Sequence, residues 1–339
     1  MNQGFAVFKE PNSKTICFCK GDVKKLPKEW SVDSIGSGFL ISPWSKADEI
    51  YIIQSELKMI DIDLMRIEIQ SILNELNTSD KQSTSYQEFD EVVLSIQNLI
   101  IEGKVEKIVA SRQKVDECSI GTEDLIFWFN QLVKLHENAF VSLVFTPDFG
   151  LWMGATPEIL LHLDQTTLST VSLAGTLYNV GDEWTEKERL EQSVTTKYIE
   201  GVLRKYGDSD TAKSEIEEIK SGTIKHLKSH FQVQINPYQV KNVLDDLSPT
   251  PAVGGYPKEE AVKWIQENEP YRRHLFSGFL GVVNVKSLHT YVNLRCVEIS
   301  KNQQIFYAGC GINLGSVTEK EWLETEAKMG VTRDSRPPF

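Results

Sequence analysis

Residues 140–173 read FVSLVFTPDFGLWMGATPEILLHLDQTTLSTVSL. Four β-type runs lie in this stretch: Phe140 to Phe145, Gly150 to Ala155, Ile159 to Leu163 and Leu168 to Leu173. The last three follow one another too closely for crossover helices, which predicts antiparallel pairing. Working outward, a further run spans Lys107 to Ser111. Three more span Leu275 to Val285, Thr290 to Ile299 and Ile305 to Ile312. Phe89, Val92, Val93, Ile96, Leu99 and Ile100 recur at helical spacing before Gly103, which reads as a stop. Helices are also predicted from about Trp184 to Lys205, from Pro257 to Asn268 with proline in the first turn, and from about Thr318 to Met329. Strand runs with helices outside them predict an α+β domain, not a doubly wound sheet.

The chain has 339 residues, 40% of them hydrophobic, and a net charge of −12. That composition supports a large core. The acidic balance lacks the basic footprint expected of a nucleic-acid or membrane-surface partner. No apolar stretch approaches the length of a spanning helix, and the N-terminal residues lack the pattern of a secretory signal. Five scattered cysteines (Cys17, Cys19, Cys118, Cys296 and Cys310) fit a reducing cytoplasm better than a disulfide framework. Cys17-Phe18-Cys19 reads as small residues alternating on a strand. The polar run Asn77 to Ser85 has no apolar anchor and reads as an exposed loop. Residues 1–85 are taken as the N-terminal part of the same domain, 86–330 as its main region, and 331–339 as a tail.

Several residues could carry chemistry. Glu158 follows Gly154-Ala155-Thr156-Pro157 between two strand-like runs. A carboxyl group at such a turn can act as a general acid if its pKa is raised, although an exposed turn glutamate is the simpler reading in isolation. Glu321, Glu324 and Lys328 share one helical face, and Glu191 on the Trp184 helix offers a further carboxylate. Carboxylate oxygens of this kind suit Mg²⁺, though a solvated face has the same pattern. The loop Leu247 to Pro257 is stiff and glycine-bearing, so its N–H groups could face an anion. Gly309-Cys310-Gly311 lacks the spacing of a dinucleotide fingerprint, and His162 reads as a packed residue.

In order, these pieces resemble the chorismate-utilising enzymes, the family of isochorismate, salicylate, anthranilate and aminodeoxychorismate synthases. The matching stretches are Lys107 to Arg112, Gly154 to Glu158, Leu173 to Thr176, Glu191-Gln192, Pro249 to Pro257, Arg273 with Phe276 and Gly278, Arg295-Cys296, Gly309 to Gly311, and Glu321-Trp322 with Glu324-Thr325 and Lys328. They cover about residues 85 to 330. The chain departs from the family in having Gln192 and Ser248, where histidine is usual. The resemblance implies two central antiparallel sheets packed together, helices outside, and an active-site cleft that binds chorismate with Mg²⁺.

Within the family, the resemblance favours isochorismate synthase, which adds water at C2 of chorismate as the C4 hydroxyl leaves. Lys107 occupies the position of the base in the water-adding members, where the amine-adding members have glutamine. Lysine serves as a base only when part of it is neutral, which calls for burial or a nearby cation. Glu158 would be the acid. Glu191 and Glu324 would ligate Mg²⁺, with Glu321 bound directly or through water. Arg295 and Gly309 would hold the enolpyruvyl carboxylate, and Ala174, Gly175, Thr176, Ala252, Phe276, Tyr307 and Lys328 would complete the substrate site. Ala174 leaves room where aminodeoxychorismate synthases commonly carry a nucleophilic lysine. The Pro249 to Gly255 loop resembles the isochorismate synthase version, whereas the amine-adding branch tends toward Gly-Thr and Gly-x-Pro-Lys. Salicylate synthase, an amine-adding component and a non-catalytic paralogue are the alternatives. The expected assembly is a monomer or weak homodimer.

Overall fold

The computed structural model describes residues 2–44, 49–177, 183–208, 211–221 and 224–337. Two antiparallel sheets pack face to face. The first runs, edge to edge, through Lys58–Met59, Cys17–Lys25, Gln3–Lys9, Phe140–Thr146, Gly150–Thr156, Cys296–Ile299, Gln303–Ile312, Lys107–Glu117 and Gly255–Tyr256. The second runs through Tyr51–Gln54, Gly38–Ser42, Phe279–Asn284, Ser287–Val292, Ile159–Asp164, Thr167–Leu177 and Ile224–Gln234, with Glu217–Ser221 and Ala212–Lys213 on the far edge. Strand Cys17–Lys25 belongs to both, because Val23, Lys24 and Lys25 turn away to pair with Tyr51–Gln54. The architecture is the α+β sandwich expected from the sequence.

Strand alternation builds two of the apolar layers. Phe140 and Val144 point between the sheets, where they meet Phe8, Phe39 and Tyr291. Val141 and Leu143 point outward onto helices Ile62–Glu75 and Thr122–Leu135. On the outer face of the second sheet, Leu161, Leu168 and Phe231 meet helices Glu186–Tyr206 and Val240–Leu247. Strands covered on both sides read as near-continuous apolar runs, which explains why the stretch from residue 140 is so hydrophobic.

Two sequence expectations need correction. Thr290 to Ile299 is not one strand: Ser287–Val292 lies in the second sheet and Cys296–Ile299 in the first. The break falls at Asn293 to Arg295, with Arg295 in the left-handed region at φ 48°. Residues 331–333 continue the last helix, Thr318–Arg333, so the tail begins as packed structure with Thr332 buried. The polar run Asn77 to Ser85 is a loop, exposed over most of its length as expected. Among the described residues, no helix is long and apolar enough to cross a membrane.

Candidate active site

The chain passes between the sheets twice at neighbouring points. One crossing lies between Gly150–Thr156 and Ile159–Asp164 and carries Pro157 and Glu158. The other carries Arg295. The two are laced together, since Val292 N–H donates to the Glu158 carbonyl at 3.0 Å and Ala155 N–H to the Arg295 carbonyl at 3.3 Å. Thr332 Oγ1 also donates to the Arg295 carbonyl at 2.6 Å. A residue held at positive φ without being glycine is strained, and here the strain sits at a cleft residue whose backbone is fixed from both sides.

The cleft opens at this seam and contains about 850 Å³ of non-protein space, mouth included. Lys107, Glu158, Glu191, Arg295, Glu324 and Lys328 all line it. So do Ala174, Gly175, Ala252, Phe276, Tyr307 and Gly309. Glu321 is buried on the last helix and is not part of the cleft lining. Thr176 falls in strand Thr167–Leu177 opposite His226, but its side chain lies outside the described residues.

Lys107 is the first residue of its strand and is 8% exposed. Its Nζ stands 3.7 Å from Glu191 Oε1, so the nearby charge is a carboxylate, not the cation the sequence argument allowed for. Gly311 makes room for this pair. A Cβ at that position would overlap the lysine chain, 2.9 Å from Nζ and 3.0 Å from Glu191 Oε1. Gly255, at φ 140°, closes the edge strand against Lys107, where a Cβ would stand 2.7 Å from that of Ala261. The glycines of the Pro249 to Pro257 loop thus serve close backbone approach: Gly254 and Tyr256 carbonyls accept from Val109 and Glu106 N–H.

Burial lifts the Glu158 carboxyl to about 7, against the opposing pull of Lys328, Arg295 and Lys107. Lys328 donates to the Gly309 carbonyl at 2.7 Å and to Glu324 Oε1 at 2.8 Å. Burial pushes its pKa down, but the Glu324 carboxylate outweighs that and raises it. His226, absent from the sequence reading, also lines the cleft. Burial, with the Arg295 and Lys328 charges, lowers its pKa to about 4, so it is neutral at pH 7. Its strand, Ile224–Gln234, was not predicted, because alternation in IKHLKSHFQVQ is interrupted by lysines and offers no turn signal.

Other quoted residues hold the frame. Arg112 donates to Thr325 Oγ1 at 2.6 Å and to Glu326, and its guanidinium lies 3.7 Å over Trp322. This clamps the last helix so that Glu324 and Lys328 face the cleft. Gln192 is fully buried and donates to the Ser172 carbonyl at 3.3 Å, tying the Glu191 helix to its strand. Lys258 spends its ammonium on the carbonyls of Asp245, Asp246 and Ser248. Gly255-Tyr256-Pro257-Lys258 itself fits the Gly-x-Pro-Lys pattern of the amine-adding branch, so that part of the loop comparison does not discriminate. The lysine is occupied outside the cleft lining.

For a divalent ion, the donor set is oxygen-only, with carboxylates entering the cleft from two helices, Glu191 and Glu324. Mg²⁺ is usually held by one or two carboxylates, waters and substrate oxygens, so these residues fit it. Among the described residues, no group of three or more acidic, histidine or cysteine side chains is gathered as a metal cage.

Arg295 and Lys328 bring positive charge into this cleft beside Lys107, and protonation of Glu158 leaves Glu191 and Glu324 as its carboxylates. Such a site attracts an anion into a protein of charge −12. Residues 45–333 match the family described as chorismate binding enzyme, and the chain belongs to that family. The match starts well before residue 85, where the sequence resemblance was placed. Isochorismate synthase EntC of Escherichia coli K12 is 30% identical over 268 residues, which cover 75% of this chain and 68% of EntC. Isochorismate synthase MenF of the same organism is 26% identical over 245 residues, 56% of its own length. The structure of Escherichia coli MenF superposes with a TM-score of 0.81 at 19% identity, covering 98% of this chain and 88% of that one. Anthranilate synthase component I from Streptococcus pneumoniae superposes at 0.68 and 17%, covering 97% and 90%. The fold is common to both branches and so does not choose between them.

Proposed function

We propose that this chain is an isochorismate synthase. The observation that carries the reading is that Lys107 and Glu158, a carboxyl of raised pKa, face one cleft that also holds Arg295 and Lys328. Lys107 takes a proton from the water that attacks C2 of chorismate. Both ring double bonds shift, from C1=C2 to C1=C6 and from C5=C6 to C4=C5, the C4–O bond breaks, and Glu158 passes its proton to the departing hydroxyl. One water enters and one leaves, so the product is an isomer. The reverse reaction uses the same groups with their protonation exchanged, and a carboxyl near 7 can serve in both directions.

Arg295 suits a carboxylate because its planar fork donates two parallel bonds. Ala174 supports water over an enzyme-borne amine as nucleophile, since it leaves space and carries no nitrogen. Glu191 and Glu324 would hold Mg²⁺, with Glu321 one turn earlier on the same helix as Glu324. The bound ion supplies charge stabilisation at the ring carboxylate. The names of the relatives lend support to this reading.

The test is incubation with chorismate and Mg²⁺ in ¹⁸O-labelled water, with and without excess ammonium, followed by mass spectrometry. Isochorismate carrying one labelled oxygen is expected, with little free pyruvate and no aminated ring. Salicylate with equal pyruvate, or an aminated product, overturns the assignment. Turnover undiminished by EDTA removes Mg²⁺ from it.

A further inference from the structure

The polar run Asn77 to Ser85, with no apolar anchor of its own, is held by amide hydrogen bonds. Asn302 and Ser79 exchange two: Ser79 N–H to Oδ1 at 2.8 Å and Nδ2 to the Ser79 carbonyl at 2.9 Å. Gln303 and Lys81 repeat the pattern at 3.2 and 3.1 Å. Gln113 Nε2 takes the Gln82 carbonyl at 2.7 Å, and Val115 N–H donates to Ser83 Oγ at 2.9 Å. The run is therefore a strap across strands Gln303–Ile312 and Lys107–Glu117, which also carry cleft residues.

The strap delivers one charged side chain inward. Lys81 Nζ pairs with Glu298 Oε2 at 2.6 Å and donates to the Tyr307 hydroxyl at 3.1 Å, while Tyr307 donates to the same Glu298 oxygen at 2.8 Å. This triangle fixes the tip of a ring that stacks with two others. Phe276 lies 5.5 Å away at 18°, and Trp152 5.3 Å away at 21°. Tyr307 and Phe276 line the cleft, whereas Lys81 does not.

We infer that Lys81 is a positioning residue: from the strap, with Glu298, it locks the Tyr307–Phe276 wall in the shape that accepts the substrate. The inference rests on the chorismate reading for its substrate but not for its geometry. Without the ammonium, Tyr307 keeps only Glu298 at its hydroxyl, and Glu298 loses the charge that holds it in place, so the ring is freer to shift.

The experiment compares wild type with Lys81→Met, Lys81→Arg and Glu298→Gln, using Lys104→Met on an exposed pair as control. Protein labelled with 3-fluorotyrosine gives a ¹⁹F spectrum in which Tyr307 is assigned from Tyr307→Phe. Lys81→Met should broaden or split the Tyr307 resonance and raise KM for chorismate about tenfold, with kcat within about twofold, the scale of one lost charged hydrogen bond. Lys81→Arg should restore both. An unsplit resonance with unchanged KM in Lys81→Met overturns the inference, as does a fall in kcat at constant KM. If Lys81→Met does not fold, Glu298→Gln is read by the same two measures. If wild type neither binds nor turns over chorismate, the functional reading fails, and the ¹⁹F comparison alone decides on the wall.

Discussion

Two ion pairs that meet strand Lys107–Glu117 are built in opposite ways. Glu269 and Arg273 are each about 1% exposed and saturated with bonds. Arg273 donates to Glu269 Oε2 at 2.7 Å, to the Val253 carbonyl at 3.0 Å and to the Val109 carbonyl at 2.7 Å. Glu269 Oε1 accepts from both N–H and Oγ of Ser111. Lys107, at the start of the strand that holds Val109 and Ser111, and Glu191, on helix Glu186–Tyr206, stand 3.7 Å apart and face the cleft. The first pair spends nearly all of its hydrogen bonds inside the protein and ties Val109, Val253 and Ser111 into one frame. The second is loose and open to a ligand. The buried pair is bonded almost wholly to the protein, while the pair at the cleft has valence to spare.

Breaking the saturated pair should have the largest effect. Arg273→Met strands a buried carboxylate and is expected to lower unfolding free energy by about 3–5 kcal/mol, whereas Lys107→Met should change it by less than about 1 kcal/mol. Urea denaturation of the two variants checks this, and equal losses would abolish the contrast.

On activity the order reverses. Lys107→Ala and Glu158→Gln should each lower kcat by about 10²-fold or more while the protein stays folded. Either variant turning over chorismate at the wild-type rate would remove that residue from the acid–base pair.

The spacing of the loose pair can be probed without touching its charges. Gly311→Ala places a Cβ against Lys107 and Glu191 and should lower kcat about tenfold, a displacement of the kind that costs alignment and not binding. Unchanged kinetics would mean that the pair has room to shift.

The smallest effect is a pH dependence of stability. The folded state raises Glu158 from 4.5 to about 7, so between those values it binds more protons than the unfolded chain, and stability falls as pH rises. Glutamine cannot ionise. Glu158→Gln should therefore gain on wild type between pH 5 and 8, by at most about 3 kcal/mol and nearer about 1 kcal/mol once solvent in the cleft screens the charge. Melting temperatures at the two pH values test this, and a gap that narrows with rising pH contradicts the sign. In wild type, kcat/KM should decline above about pH 7 as the acid ionises.

The sequence by itself determined the α+β class and many strands of the main region, because alternation and short turns are local signals, while Glu217–Ser221, Ile224–Gln234 and Gly255–Tyr256 escaped it. Residues such as Lys107, Glu158 and Arg295 could be named because the family resemblance marked them. Only the tertiary structure decided how they meet. Thr290 to Ile299 reads as one strand because alternation continues through it, yet Arg295 turns the chain from one sheet to the other. His226 lies far from the motifs in sequence and reaches the cleft through strand pairing with Thr176. The strap at Asn77 to Ser85 reads as a loop because its anchors are amides on Asn302, Gln303 and Gln113, and hydrogen bonds between distant side chains leave no periodicity to read. Helical and strand periods arise from neighbours along the chain, whereas a site is made where distant segments cross.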